Sequence, residues 1–214
     1  SNTPYETHPA MKTNLLRAML VLFSLGACQR DQGPVPYQPY PGTYVKANLN
    51  GVDWQSQYER YGWVMDAYAY ESPGPNLGCA SAFHWVSLRQ VTRWGSERSA
   101  FSIQLYQFSP KRYSLQKFKA LGGYESCIPF ALFTTLEGND APTGDFNLKP
   151  DADNFLTIEK FDPEQRFIEG TFQMTFVPEN VGKYSFLTAT DTLRFTEGRF
   201  RARLRRNTDP DWGK

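Results

Sequence analysis

Residues 156–176, LTIEKFDPEQRFIEGTFQMTF, restrict the folds open to this chain more than any other stretch. Leu156 and Ile158 alternate with Thr157 and Glu159. After Asp162-Pro163-Glu164, the set Ile168, Gly170, Phe172, Met174 and Phe176 alternates with polar residues. A period of two puts each set on its own face of a strand, and the proline-containing break marks a turn. The stretch predicts a β-hairpin made of Asn154 to Phe161 and Arg166 to Phe176, with one apolar face.

The same signature recurs. Thr43 to Leu49 reads as a strand, and Asn50-Gly51 is a hairpin signal because both residues tolerate positive φ. Trp63 to Tyr70 is an aromatic-rich strand, broken by Ser72-Pro73-Gly74-Pro75-Asn76. Next, Cys79, Ser81, Phe83 and Trp85 share one face, read as inward, opposite Ala80, Ala82, His84 and Val86. Phe101, Ile103 and Leu105 alternate with Ser102, Gln104 and Tyr106. In the last strand Leu193 and Phe195 have one parity and Phe200, Ala202 and Leu204 the other; a bulge at Gly198 restores one inward face. Helical periodicity is weak, with room for a turn or two at Ser114 to Leu121. The expectation is an all-β domain, an antiparallel sandwich or barrel of roughly eight to ten strands, with the choice between the two left open.

The N-terminal region has a different character. Met11-Lys12-Thr13-Asn14 and Arg17 form a positively charged opening, and Ala18 to Ala27 is an apolar run interrupted by Ser24 and Gly26. That run is short of the about 20 residues a membrane-spanning helix needs and suits a secretory signal peptide. Leu25-Gly26-Ala27-Cys28 resembles the bacterial lipobox, in which the Cys is acylated and begins the mature chain. The expected organisation is an upstream extension at 1–10, a lipoprotein signal peptide at 11–27, an acylated Cys28 with a Pro-rich tether at 28–42, one all-β domain at 43–206, and a tail at 207–214. A lipid anchor contributes about 0.8 kcal/mol per buried methylene, so several chains on Cys28 hold a soluble domain at a membrane.

Removing residues 1–27 takes away Lys12, Arg17 and Glu6 and leaves 21 basic and 21 acidic side chains. A balanced charge gives no general attraction for nucleic acid. Of the three cysteines, Cys79 and Cys127 remain for an exported domain, where oxidising conditions favour a disulfide. Closing roughly 49 residues contributes about 4 kcal/mol on the chain-entropy model.

Four motifs in order carry a resemblance: Ala47-Asn48-Leu49-Asn50-Gly51-Val52-Asp53-Trp54, then Arg112-Tyr113-Ser114-Leu115, then Leu156 to Phe172, then Thr196-Glu197-Gly198-Arg199-Phe200. Together they resemble the A-x-x-N-G-x-x-W opening, Y-x-L strand, I-x-G-T-F hairpin and T-x-G-x-F close of small secreted lipoproteins of Bacteroidota. The resemblance implies an all-β envelope domain and no particular activity. Acidic residues soon after the anchoring Cys look like a surface-display signal in that group; here Gln29-Arg30-Asp31-Gln32 has one acid, which leaves the membrane face open.

Signatures of catalysis are sparse. His84 is the one histidine after Cys28, a Ser-His-Asp arrangement would have to use it, and no Gly-x-Ser-x-Gly occurs. Asp140, Asp145, Asp151 and Asp153 fall in the turn-rich stretch Glu137 to Asn154, without the spacing of a calcium loop, and read as a solvated acidic loop. No metal or cofactor is expected. Arg199, Arg201, Arg203 and Arg205 share one strand face, a row able to hold phosphates or carboxylates, or to pair with acids such as Glu159 or Glu169. Aromatics are plentiful, and Tyr58, Tyr61, Trp63, Tyr68 and Tyr70 are the densest group, read as packing residues. The reading is a non-catalytic, lipid-anchored binding module of the cell envelope, at the outer membrane, with a polysaccharide or envelope protein as partner. The alternatives are a carboxylate-dependent glycan hydrolase and a calycin-like barrel around a small apolar ligand.

Overall fold

The structure is a computed structural model and describes residues 36–54, 64–72, 83–118, 128–137, 141–182, 187, 191–206 and 209. The chain divides into two units, Ser1–Val35 and Pro36–Lys214, and every described residue belongs to the second. Cys28, Cys79 and Cys127 lie outside the described residues, and so do the expected acylation site and the expected Cys79–Cys127 bridge. Among the described residues no helix is long and apolar enough to cross a membrane.

The protein is all-β. The first half supplies β1 (Tyr44–Leu49), β2 (Val52–Asp53), β3 (Val64–Ser72), β4 (Phe83–Val91), β5 (Glu97–Leu105), β6 (Lys111–Ser114) and β7 (Gln116–Lys117). The second supplies β8 (Phe130–Glu137), β9 (Ala141–Leu148), β10 (Phe155–Asp162), β11 (Phe167–Val181) and β12 (Leu193–Arg205). The count exceeds the sequence expectation partly because β2 and β7 have two residues each, too few to show a period.

Two long strands close the sheet on itself. β11 has 15 residues and β12 has 13, and they pair antiparallel from Phe167↔Arg203 to Phe176↔Leu193. Their other edges each serve two neighbours. β12 takes β1 between Phe195 and Arg201, then β3 in parallel at Arg203–Arg205. β11 takes β10 between Phe167 and Gln173, then β9 from Phe176 to Val181. The hydrogen-bonded circuit β12-β3-β4-β5-β8-β9-β11 therefore returns to β12, with β2-β1 and β10-β6 as side branches. Closure removes the unpaired edges that an open sandwich would leave along this circuit.

The interior is a stack of rings. Trp54, Phe101, Phe133, Phe146, Phe172, Phe176, Phe195 and Phe200 are each less than 2% exposed. Phe101 is central, with ring centroids of Trp54, Phe133, Phe172, Phe176 and Phe195 between 4.6 and 5.6 Å away. Burying each ring contributes about 1.5–3 kcal/mol.

The Asn50-Gly51 turn forms with φ of 53° and 84°, linking Leu49 to its partner Val52. The 156–176 hairpin forms with Leu156 opposite Phe172. The β12 bulge is present: Lys46 and Asn48 of β1 face Arg199 and Thr196, so β12 carries one extra residue. Its left-handed residue is Glu197 at φ 54°, while Gly198 is there for space, since a Cβ would lie 2.6 Å from the Phe172 ring.

Three readings are corrected. Residues 114–118 contain no helical turn; β6 ends at Ser114 and β7 follows. The stretch 137–154 is not one acidic loop, because Ala141–Leu148 is β9, buried through Phe146 and Leu148. In β4 the inward residues are Val86 and Leu88, both 0% exposed, so Trp85 points outward and His84 takes the inward parity. Alternation takes the aromatic side as the core side, but the outer face here is also aromatic. Its covering includes Tyr37 and Tyr40, from the stretch expected to be tether.

Candidate functional site

Backbone parity on β12 sets Arg199, Arg201, Arg203 and Arg205 on the outer face, because Phe200, Ala202 and Leu204 turn inward. Arg199 is exposed and faces Lys46 across the β1 ladder. The next three are half-buried, each with its guanidinium over a ring: Arg201 on Phe167 at 4.1 Å, Arg203 on Tyr40 at 3.6 Å and Arg205 on Tyr68 at 4.3 Å. Arg201 also lies 3.4 Å from Glu169, the acid named from sequence, and Arg203 lies 3.9 Å from Asp209. A guanidinium over a ring contributes about 0.5–2 kcal/mol and holds the charge in a fixed place.

The strip continues around the corner where β12 meets β3, since Arg205 is the register partner of Tyr70. Tyr68 and Tyr70, two residues apart, point the same way with rings 6.1 Å apart and 25° between planes. Tyr70 and Trp85 follow at 6.4 Å and 13°. Trp85 then meets Phe130 edge-on at 5.8 Å, and Phe118 covers Phe130 at 4.9 Å. Tyr68, Tyr70 and Trp85 are half-buried, so the packing role read for Tyr68 and Tyr70 is fulfilled on the outside of the barrel. Burial, and after it the neighbouring Tyr68, raises the Tyr70 pKa above 10.0. Tyr58, Tyr61 and Trp63 lie outside the described residues.

Sequence reasoning missed a polar cluster beside this strip. Asp66 and Arg89 are 2% and 7% exposed and are register partners on β3 and β4. Arg89 donates to Asp66 from Nε at 3.0 Å and Nη2 at 2.8 Å, and its Nη1 reaches Glu97. Tyr37 closes the cluster: its hydroxyl donates to Asp66 Oδ2 at 2.6 Å and accepts from Arg89 Nη2 at 3.1 Å. Burial pushes the Tyr37 hydroxyl up to about 12, with the Asp66 charge adding to it. Burial works to lower the Arg89 pKa, but Asp66, Tyr68 and Tyr37 outweigh it and the group is raised. One signal was present in the sequence: a lone acid in the apolar run Val64-Met65-Asp66-Ala67 and a lone charged residue, Arg89, in the strand run Val86 to Val91. Isolated charges in buried strands require partners.

The other candidates are placed elsewhere. His84 packs edge-on to Phe108 at 4.7 Å and has Glu71 at 3.3 Å from Nε2. Asp153 is held by Arg112 Nη2 at 2.7 and 2.9 Å, and Asp145 accepts from Thr134 at 3.2 Å. Asp151 is exposed, and Asp140 lies outside the described residues. Among the described residues no three His, Cys, Asp or Glu side chains gather as a metal site. A groove of about 430 Å³ lies at the β12 bulge, with Phe155, Thr171, Gln173, Glu197 and Arg199 around its rim. Arg199 thus belongs both to the groove and to the arginine row. No family model matches this chain, and no curated protein or solved structure matches it either.

Proposed function

We propose that this protein is a lipoprotein of the cell envelope, exported, acylated at Cys28 and held at the outer membrane, whose β domain binds an acidic polysaccharide without catalysing a reaction. The observation that carries the binding reading is the outer strip, where an arginine row on β12 runs into the ring series Tyr68–Tyr70–Trp85. Guanidinium groups recognise carboxylate and phosphate, and half-exposed Tyr and Trp combine an apolar body with a polar tip. The filled aromatic interior supports use of the outer surface, since a small apolar ligand inside would have to displace Phe101 and its neighbours. The acids Asp66 and Glu97 converge on the Arg89 guanidinium, which differs from the open pair, about 5–10 Å apart, that a glycan hydrolase uses. The anchor reading rests on the Met11 to Cys28 pattern.

Affinity electrophoresis tests the binding reading, with the protein run in gels containing alginate, pectin or neutral dextran. Retardation is expected in the acidic gels and weakens with salt. Combining Arg199→Ala with Trp85→Ala is expected to weaken binding about tenfold or more, since a hydrogen bond to a charged group contributes about 1.5–3 kcal/mol and tenfold corresponds to about 1.4 kcal/mol. Equal mobility in all three gels would remove this reading.

A further inference from the structure

We infer that the turn between β4 and β5, centred on Arg93-Trp94, is a contact for a phospholipid surface and sets the orientation of the domain on its membrane. The inference rests on the proposed acylation of Cys28.

Its first support is where the N-terminal segment of the domain docks. Tyr37 is docked on this turn. Its backbone N–H donates to the Arg93 carbonyl at 2.6 Å, and its ring lies where a Cβ on Gly95 would be 3.3 Å away. The Tyr37 hydroxyl and the Asp66–Arg89 pair fasten the same segment to β3 and β4. Cys28 is nine residues earlier. Nine residues span at most about 30 Å. An acylated Cys28 therefore leads into the domain at this turn.

The second support is what the turn presents. Trp94 is 50% exposed, and the Arg93 guanidinium lies 4.2 Å from its ring centroid. The turn is built to hold that shape: the Thr92 hydroxyl accepts from the N–H groups of Trp94 and Ser96, and Gly95 has φ 88°. An amphipathic indole sits well at headgroup level, and an arginine beside it pairs with lipid phosphate. Nearby acids do not oppose this, because Asp66 and Glu97 are both held by Arg89.

The orientation follows from the strands. β4 runs from Phe83 to Val91, ending at the turn, so Trp85 stands about 20 Å along the strand from it. With Trp94 at the lipid surface, the Tyr70–Trp85 end of the outer strip is held away from the bilayer, where a polymer can reach it.

The test uses the full chain purified from native-type membranes and placed in vesicles of phosphatidylethanolamine and phosphatidylglycerol, with or without brominated acyl chains. Brominated lipid quenches nearby indoles. The chain has five Trp, so Trp94→Phe isolates the contribution of this one, and its thermal midpoint checks that the fold is kept. Intact mass of the same preparation reports acylation. With acyl mass on Cys28, quenching is expected to fall by about half or more in Trp94→Phe. Equal quenching in both chains, with the acyl mass present, overturns the inference and leaves the anchor standing. A chain without acyl mass overturns the anchor and this inference with it.

Discussion

At Gly170 the absence of a side chain sets how closely β10 and β11 approach. A Cβ there would overlap the Thr157 carbonyl oxygen and come within 3.0 Å of the Phe200 ring. Gly170 is opposite Ile158, where β10 carries an extra residue before Lys160 meets Glu169. Neither obstacle yields easily, one being backbone and the other a fully buried ring. Gly170→Ala is expected to cost about 3 kcal/mol through overpacking, which lowers the thermal midpoint by roughly 6–12 °C in a domain of this size. Circular dichroism melts check this, and an unchanged midpoint would show that the hairpin relaxes to make room.

The bulge in β12 acts on a whole element. Before it, Leu193 and Phe195 point inward; after it, Phe200, Ala202 and Leu204 do. Side chains alternate with a period of two, so one extra residue is required for both sets to reach the same core. Glu197 takes the left-handed conformation at φ 54°, and its carboxylate accepts from Asn48 Nδ2 at 2.9 Å. Deleting Glu197 would turn Arg199, Arg201, Arg203 and Arg205 toward the interior or swing the first half of the strand outward. Loss of soluble, cooperatively folding protein is expected. A deletion variant with a parent-like melt would mean that the β1 and β11 ladders absorb the shift. Replacing Glu197 with Gly keeps the residue count and serves as the control that folds.

Across the whole molecule, the circuit is joined by elements far apart in sequence, and Pro36 to Gly42 lies over the outside of that joint. Tyr37 holds β3 and β4 through Asp66 and Arg89, and Tyr40 lies on Arg203 of β12. The Tyr37 hydroxyl keeps its proton to about 12, against an ordinary value of 10.0. A raised pKa contributes stability in full below the unfolded value and loses it as pH climbs to the folded one. The contribution of Tyr37 is therefore complete below 10.0 and disappears between 10.0 and about 12. Urea titrations at about pH 9 and about pH 11 are expected to show a smaller stability gap between wild type and Tyr37→Phe at the higher pH. Tyr70 is present in both chains, so the comparison isolates Tyr37. A gap independent of pH would mean that the strap is held by its ring and backbone alone.

β8 and β9 were not legible in the sequence, but β1, β3, β4, β5, β10, β11 and β12, the Asn50-Gly51 turn, the 156–176 hairpin and the shift in β12 were. Each is set by local alternation and turn chemistry that neighbours along the chain can express. Inward and outward were not always legible. A strand with aromatic residues on one side reads as having its core there, yet Trp85 faces out because rings on the outside also find cover, from Tyr70 and Phe130. The buried Asp66–Arg89 pair was visible as two stray charges, but their meeting depends on the β3–β4 register, and their cover on a tyrosine from a proline-rich segment that resembles a linker. Closure of the sheet lay wholly beyond local pattern. Residue alternation gives a strand its faces, whereas its edges are satisfied by partners up to a chain length away. Only the assembled tertiary structure could decide that β12 meets β3 and β11 meets β9.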